Sequence, residues 1–423
     1  MTQIIPKNFF YGWVIVGTCW TTGMVSSFMN PVVFSIFIDP MRDDFGVGLS
    51  TLAWVMSIRM LSGGIATPVL GRLLDKYGAR WIGSFGGFIA GLSLIGFYFA
   101  ENLLSLYLLA FLGGLSGMGV AGGGQLLTTV PVSNWFVNKR GRAVAITTTG
   151  MGIGTAISAP VGLLLINTIG WRSTWLVFGL IIWLVVIPGF AIFMRRRPED
   201  VGLLPDGFDA STEEDNNTEG VNYKIAQEVN WTAQQALRTP ALWLFLLASS
   251  SNIFITTGIL FLRVPFWNEI GVPQGIIALG IGIDPFTVIF AVLLFGFLAE
   301  RYPIRFMAII GGSWRAMSML PLIFLSTHSF SVLLHNFIWG VGSGALAITQ
   351  TLIIPTYFGR YSQGSIGGII LPLMIMAGAA GAPTLGYLVD NGFSIITVWK
   401  AGMVLMFGSG LVVFFIKPPK LKT

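Results

Sequence analysis

Long apolar stretches alternate with short polar breaks along the whole chain. A helix needs about 20 mostly apolar residues to cross the hydrocarbon core of a membrane. Helices are the expected structure for such stretches, because lipid offers backbone polar groups no hydrogen-bonding partner. We predict twelve spans, at residues 11–38, 50–70, 80–100, 103–132, 142–168, 172–194, 240–267, 274–298, 304–326, 330–355, 363–389 and 394–416.

The break between the sixth and seventh stretches is longer than the others and has a different composition. It opens with three arginines at 195–197 and then becomes acidic and polar through "DASTEEDNNTEGVN". Such a composition cannot bury a core and predicts a flexible linker. We therefore divide the chain into a six-helix bundle at 1–194, a cytoplasmic linker at 195–239 and a second six-helix bundle at 240–423.

Two segments of the first half recur in the second half at a nearly constant offset. "GRLLDKYGARW" from Gly71 is matched by "GFLAERYPIRF" from Gly296, 225 residues later, and Gly141 is matched by Gly364, 223 residues later. The offset indicates duplication of a six-helix unit. We expect an all-α membrane protein whose twelve transmembrane helices form two pseudo-symmetric six-helix bundles around a central cavity, with access that alternates by rocking.

Composition and charge distribution support a membrane environment and a definite orientation in it. Hydrophobic residues make up 54% of the chain and charged residues 10%, against about 25% charged residues in soluble domains. With a cytoplasmic N-terminus, 18 Lys and Arg fall on the cytoplasmic side and two on the other, which is the bias of a cytoplasmic-membrane protein. We expect a multi-pass protein of the cell inner membrane with both termini cytoplasmic, monomeric, in contact with lipid and without nucleic acid.

The sequence contains no pattern typical of an enzyme. The glycine-rich stretch "GGLSGMGVAGGGQ" lies inside a predicted membrane helix rather than between a strand and a helix, so it does not predict a nucleotide site. His328 and His335 have no metal-like partners nearby in the sequence. We expect no cofactor and no metal, and transport energy from gradients rather than ATP.

Several motifs resemble the major facilitator superfamily. "GRLLDKYGAR" is similar to its signature between helices 2 and 3, and "RGRAVAI" at 140–146 and "GWR" at 170–172 also fit. Within the superfamily, "FYGWVIV", "WFVNKRGRAVAI" and "VPFWNEIG" resemble bacterial relatives of the monocarboxylate porters. The resemblance implies a secondary transporter. The residues that it implicates in gating are Gly71, Asp75, Gly78, Arg80 and Arg142.

A physical argument that does not depend on the resemblance also gives Asp75 a role in gating. Short basic loops between helices favour locking contacts on the cytoplasmic side, either with helix ends or between charged side chains. Asp75 would brace such a helix end in one conformation and release it in the other. The alternative is that the basic residues of this loop only fix the topology.

Ionisable residues lie at membrane depth in both halves. Each costs at least roughly 2.5–3.5 kcal/mol at a helix centre, so such residues mark pathways or buried pairs. Arg59, Asp284 and Arg315 lie about nine to eleven residues into their spans, roughly 15 Å deep. The 225-residue offset relates Arg59 to Asp284. We expect Asp284 to pair with Arg315 or to carry the coupling proton, and Arg263 either to reach the outer interface or to bind substrate.

Uncharged polar residues also cluster at this depth. Ser251 and Asn252 lie near the middle of span 7, and Thr22 lies at comparable depth in span 1. They predict a binding floor, although Ser and Thr also bond to their own helix. Asn252 is the stronger candidate, because its amide is less easily satisfied that way.

The leading hypothesis is a secondary active transporter for a small organic anion, a mono- or dicarboxylate, coupled to protons or to a counter-solute. The excess of arginines in the spans favours an anion. Two alternatives stay open: a drug or cation exporter that uses Asp284, and a non-transporting membrane receptor or sensor. The predicted substrate-binding residues are Arg59, Arg263, Asn252, Ser251 and Thr22.

Overall fold

The computed structural model describes residues 10–47, 49–118, 124–207, 231–325, 328 and 330–419, and within these ranges it contains helices and no strands. The chain divides into two compact units. The first unit comprises Met1–Asn230 with Gly359–Pro372, and the second comprises Trp231–Phe358 with Leu373–Thr423. The predicted domain boundaries at 194 and 239 stay a prediction.

The first unit begins with a broken helix and ends in turns. Its helices are α1 (Gly12–Ser26), α2 (Pro31–Ser35), α3 (Ile38–Phe45), α4 (Leu49–Tyr77), α5 (Ala79–Tyr98), α6 (Leu103–Leu115), α7 (Gly124–Trp135) and α8 (Arg140–Pro188). A π turn at Gly189–Phe193 and 3-10 turns at Glu199–Val201 and Pro205–Gly207 follow α8. Residues 195–207, the start of the predicted linker, therefore contain regular turns.

The second unit contains most of the remaining helices. They are α9 (Ala233–Leu237), α10 (Pro240–Glu269), α11 (Gln274–Arg301), α12 (Ile304–Met317), α13 (Met319–Phe324), α14 (Phe330–Phe358) and α16 (Ile395–Phe415). Helix α15 (Gln363–Asp390) begins in residues assigned to the first unit and ends in residues assigned to the second.

Two predicted spans are interrupted for identifiable reasons. Span 1 breaks at Asn30, whose extended backbone precedes Pro31, because the residue before a proline avoids helical geometry. Span 9 divides into α12 and α13, three residues ahead of Pro321, which lacks a backbone N–H to donate.

Helix α8 contains two predicted spans, the fifth and the sixth. Its 49 residues are about twice the length needed to cross a membrane. Gly170 interrupts it with φ 84° and ψ 161°, a conformation that side chains with a Cβ rarely adopt. The glycine thus makes the sharp turn between the two spans. By length and composition, eight described helical segments could cross a membrane. Of the other predicted spans, span 2 is the 29-residue helix α4, and the described parts of spans 1 and 4 form shorter helices.

Aromatic side chains fill the core of each unit. In the first unit Phe37 stacks on Trp175 at a ring-centroid distance of 4.0 Å, and Phe97 meets Trp175 edge-on at 5.3 Å. In the second unit Trp267 and Trp399 are fully buried in one apolar cluster. Rings of this size bury enough apolar area to dominate the packing of a core.

Candidate functional site

A buried ion pair lies in the second unit. Arg263 on α10 is 7% exposed, and its Nη2 is 3.7 Å from Oδ2 of Asp284 on α11. Its Nη1 donates a hydrogen bond of 2.9 Å to Oδ1 of Asn336 on α14. Three helices therefore hold one guanidinium, and Arg263 does not reach an outer interface with its charge free.

Arg315, the expected partner of Asp284, is bound in a different way. Its Nη1 donates to Oδ1 of Asn252 at 2.8 Å, and its guanidinium lies 4.3 Å from the ring centroid of Trp339. Asn252 in turn donates to Ser409 at 3.2 Å. In the described residues the ion pair of Asp284 is with Arg263, which corrects the predicted pairing.

The geometry of the turn between α10 and α11 explains this difference. Arg263 lies six residues before the end of α10, and Asp284 lies ten residues after the start of α11. At 1.5 Å per residue these positions are roughly 9 and 15 Å from the turn. The long arginine side chain closes the gap between two antiparallel neighbours, and α10 and α11 are joined directly by the short turn at 270–273.

The cluster has more positive than negative charge. Arg263 and Arg315 face the single carboxylate of Asp284, and its Oδ1 and the Nε of Arg315 have no hydrogen-bond partner in the described structure. A buried charge at membrane depth is costly unless it is compensated. Among the described residues of the cluster, one positive charge is therefore not neutralised by an acidic side chain.

Arg59 is buried in the first unit. It is 3% exposed on α4, its Nη1 is 3.5 Å from the carbonyl oxygen of Met29, and its Cζ lies 5.7 Å from the ring centroid of Phe97. Nε and Nη2 have no hydrogen-bond partner among the described residues. Among the charged residues that the structure describes, none forms an ion pair with Arg59.

The three polar residues of the predicted binding floor have different contacts in the structure. Thr22 is buried and donates to the carbonyl oxygen of Thr18 at 2.8 Å, so its hydroxyl is satisfied by its own helix. Ser251 is partly exposed. Asn252 connects Arg315 to Ser409, so of the three it is the one that belongs to the charged cluster.

Asp75 lies against the start of α15 in the first unit. Its Oδ1 accepts a hydrogen bond from the Gly364 amide at 2.9 Å, and its Oδ2 accepts one from the Ser365 amide at 2.6 Å. These amides belong to the first turn of a helix, where N–H groups lack partners within the helix. Carboxylates are favoured at that positive end.

A close approach of backbones accompanies these bonds. A Cβ added to Gly71 would overlap the carbonyl oxygen of Gly364 and lie 3.3 Å from Cα of Gly368. We call Gly71, Asp75, Gly364 and Ser365 the α4–α15 latch. Glycine is required at position 71 because only a residue without a side chain fits.

The other predicted gating residues surround the latch or lie beyond it. Gly78 has φ 76°, and Arg80 donates from Nε to the carbonyl oxygen of Ala191 at 2.8 Å. Arg196 donates to the carbonyl oxygen of Asp75 at 2.6 Å. Arg142 is exposed near the start of α8 and is not among the residues that contact Asp75.

A second carboxylate, which the sequence did not single out, satisfies the loop before α8. Asp206 accepts hydrogen bonds from the amides of Val137, Asn138 and Lys139 at 2.9, 2.7 and 3.0 Å. It is 6% exposed and has φ 61°, a left-handed conformation that Asp adopts more readily than most residues. Its setting in a polar linker gave no signal of this role.

Arg360 ties the same region to the start of α15. It is 2% exposed, donates to the carbonyl oxygen of Asn134 at 2.8 Å and forms an ion pair with Glu199.

The sequence analysis also did not single out Asn336 and Trp339, which contact Arg263 and Arg315 in the second unit. Asn336 could have been found, since it is a polar residue in the apolar sequence of α14.

Comparison with known proteins identifies similar sequences and folds. Residues 19–371 match the family model described as Major Facilitator Superfamily. Monocarboxylate transporter 2 of Homo sapiens is 24% identical over 400 residues, covering 91% of this chain and 81% of that protein. Monocarboxylate transporter 12-B of Danio rerio is 25% identical, covering 98% of this chain and 88% of that protein. A match at 33% identity to monocarboxylate transporter 3 of Rattus norvegicus covers 41% of this chain and 35% of that protein.

Solved structures share the fold at low sequence identity. A crystal structure of a double tryptophan mutant of XylE has a TM-score of 0.73 at 14% identity, covering 98% of this chain and 97% of that chain. The proton:xylose symporter XylE bound to 6-bromo-6-deoxy-D-glucose has a TM-score of 0.70 at 13% identity and covers 96% of both chains. The predicted fold class, twelve helices in two domains, is confirmed by these similarities.

Proposed function

We propose that this chain, which belongs to the Major Facilitator Superfamily, carries a small organic anion across the inner membrane by alternating access. It is a multi-pass membrane transporter of that family and not an enzyme. The finer part of the proposal is a mono- or dicarboxylate as substrate, with protons or a counter-solute as the coupled species. We take the protein to work as a monomer surrounded by lipid, with both termini cytoplasmic, as the distribution of Lys and Arg favours.

The charge of the buried cluster in the second unit carries the proposal. Arg263 and Arg315 are 7% exposed each, and Asp284 neutralises one of them. A carboxylate substrate would neutralise the other. Arginine is suited to this task because its planar fork matches the two oxygens of a carboxylate and stays charged at any working pH.

The ion pair also offers a place for a coupling proton. Within the described residues, Asp284 has one oxygen without a hydrogen-bond partner, and its other oxygen has a long contact of 3.7 Å to Arg263. Protonation of Asp284 would free Arg263 for a substrate carboxylate, so that proton and anion bind together. A cation exporter would need an acid without a basic partner, and the contact with Arg263 disfavours that alternative.

The α4–α15 latch provides the conformational part of the proposal. The bonds from Gly364 and Ser365 to Asp75 hold the end of α4 against the start of α15. Alternating access requires this contact to form in one state and break in another. Two charge-assisted hydrogen bonds of about 1.5–3 kcal/mol each are strong enough to bias such an equilibrium and weak enough to be reversed.

The names of the similar proteins support two parts of the proposal, the carboxylate substrate and the proton coupling. The similar sequences are called monocarboxylate transporters, which supports a carboxylate substrate. XylE is described as a proton:xylose symporter, and proton coupling in a neighbour of the same fold supports coupling of this kind here.

Transport by the purified protein in liposomes tests the proposal. We expect uptake of at least one labelled mono- or dicarboxylate, dependent on an imposed pH gradient and abolished by a protonophore if protons are coupled. Arg315→Gln should reduce that uptake strongly. Arg172→Gln is the matched control, because Arg172 belongs to the first unit and pairs with Asp44 at a partly exposed position.

Two results would contradict the proposal. Movement of organic cations but of no carboxylate would favour an exporter. Saturable binding of a carboxylate without any flux would favour a receptor or sensor.

A further inference from the structure

Two side chains of the first unit, Arg59 and Trp175, contain buried hydrogen-bond donors without an acceptor among the described residues. These donors are Nε and Nη2 of Arg59 and Nε1 of Trp175, none of which has a partner in the described structure. Arg59 is 3% exposed and Trp175 is fully buried. Buried donors are almost always satisfied in native structures, so a group of unsatisfied ones points to a missing ligand.

Both side chains border the same aromatic ring. Cζ of Arg59 lies 5.7 Å from the centroid of Phe97, and the ring of Trp175 meets Phe97 edge-on at 5.3 Å. Trp175 also stacks on Phe37 at 4.0 Å. The described surroundings of these donors are therefore aromatic and apolar.

Among the acids whose side chains the structure describes in this unit, none forms an ion pair with Arg59. Asp44 is bound to Arg172 and Trp171, Asp75 is bound to the amides of α15, and Asp206 is bound to the loop before α8. Among the described residues, the acceptor for the Arg59 guanidinium is the carbonyl oxygen of Met29, at 3.5 Å. A neutral oxygen at that distance leaves the guanidinium charge uncompensated.

We propose that Arg59 and Trp175 form a binding site for a small monoanion, either a halide or the carboxylate group of a small acid. Both accept several hydrogen bonds and carry one charge, which is the charge that Arg59 offers. A dianion would leave one charge unpaired in an aromatic setting, which is costly. The inference deepens the proposed function, because Arg59 belongs to its candidate binding residues, but binding at this site does not require transport.

Thermal unfolding of the purified full chain in detergent tests the site. Sodium gluconate at constant ionic strength is replaced stepwise by sodium chloride, bromide, acetate or sulfate. We expect the unfolding midpoint to rise saturably with the small monoanions, since a ligand that binds only the folded state stabilises it. Sulfate should give no saturable rise beyond its general salt effect.

Two variants and one control locate the effect. Trp175→Phe keeps an aromatic ring and removes one donor, and Arg59→Gln removes the charge. Each should raise the half-saturating anion concentration, Arg59→Gln by about ten- to hundredfold, the range for hydrogen bonds to a charged group. Arg172→Gln should keep the response of the parent. If Arg59→Gln fails to fold, Trp175→Phe alone decides.

The outcomes separate the two sources of the anion. A rise with chloride that acetate neither reproduces nor displaces identifies a halide site. A rise with acetate, with chloride competing weakly, identifies the carboxylate group of a small acid. No saturable response to any monoanion, or the same response in Trp175→Phe and the parent, would overturn the inference. Binding that survives in a protein without flux would contradict the proposed function alone.

Discussion

Replacing Gly71 by alanine should open the α4–α15 latch. The added methyl group would overlap the carbonyl oxygen of Gly364 and lie 2.7 Å from its carbonyl carbon. Both are backbone atoms at the start of α15, so they cannot move aside as the end of a flexible side chain would. The bonds from Gly364 and Ser365 to Asp75 then cannot form at their present lengths.

The size of the effect follows from the cost of overpacking. An extra methyl group in a tightly packed site costs typically about 1–3 kcal/mol, which corresponds to a shift of about 5- to 150-fold in the equilibrium between latched and unlatched states. Alanine also favours the helix over glycine by roughly 0.5–1 kcal/mol. Gly64→Ala on the same helix isolates that second effect, because nothing lies within 4 Å of its added Cβ.

Cysteine labelling measures the opening directly. Cys19 is the only cysteine of the chain and is buried, so a cysteine introduced as Ser362→Cys, one residue before α15, would be the reactive one. We expect Gly71→Ala to speed its reaction with a maleimide and to slow transport turnover. Gly64→Ala should change neither. Unchanged labelling in Gly71→Ala, with the protein folded, would refute the steric argument.

Three further predictions follow from the described contacts. Asp75→Asn should slow transport of an identified substrate while its half-saturation concentration stays within a few-fold; a collapse of binding in equilibrium measurements would contradict the gating role. Arg263→Gln should lower folded yield by stranding Asp284, at a cost of about 3–5 kcal/mol, and Arg263→Gln with Asp284→Asn should recover part of it; strictly additive losses would exclude the pair. Asp206→Ala should lower the unfolding midpoint more than Asp206→Asn does, since Asn keeps one acceptor; equal midpoints would show that the three amides do not need Asp206.

The pattern of apolar residues predicts most of the fold because lipid imposes one structure on every span. Spans 2, 3, 7, 8, 10, 11 and 12 each correspond to one described helix. Span 1 is broken at Asn30, before Pro31, and span 9 is divided ahead of Pro321. Both prolines are visible in the sequence, but a prediction of spans from hydrophobicity alone does not consider the helix breaks that prolines cause.

The site was predicted less completely, because the position of a residue along a helix does not show on which side of the helix its side chain lies. Arg59 and Arg315 are buried at the depth that the sequence indicates, and Arg263, for which the sequence left the outer interface open, is buried as well. The partner of Asp284 depended on which helix faces it. The latch could be anticipated from the physics of helix ends. Asp206 could not, since its role depends on a turn that folds a polar segment back over amides distant in sequence.

The bonds of Asp206 bear on where the polypeptide can be divided. If the protein is expressed as two fragments, a first fragment ending at 194 leaves the amides of Val137, Asn138 and Lys139 without the acceptor that they have in the intact chain. A fragment ending after Gly207 retains it. The tolerated cut therefore lies beyond the apparent end of the sixth span, and residues 195–207 belong with the first fragment as its closing segment.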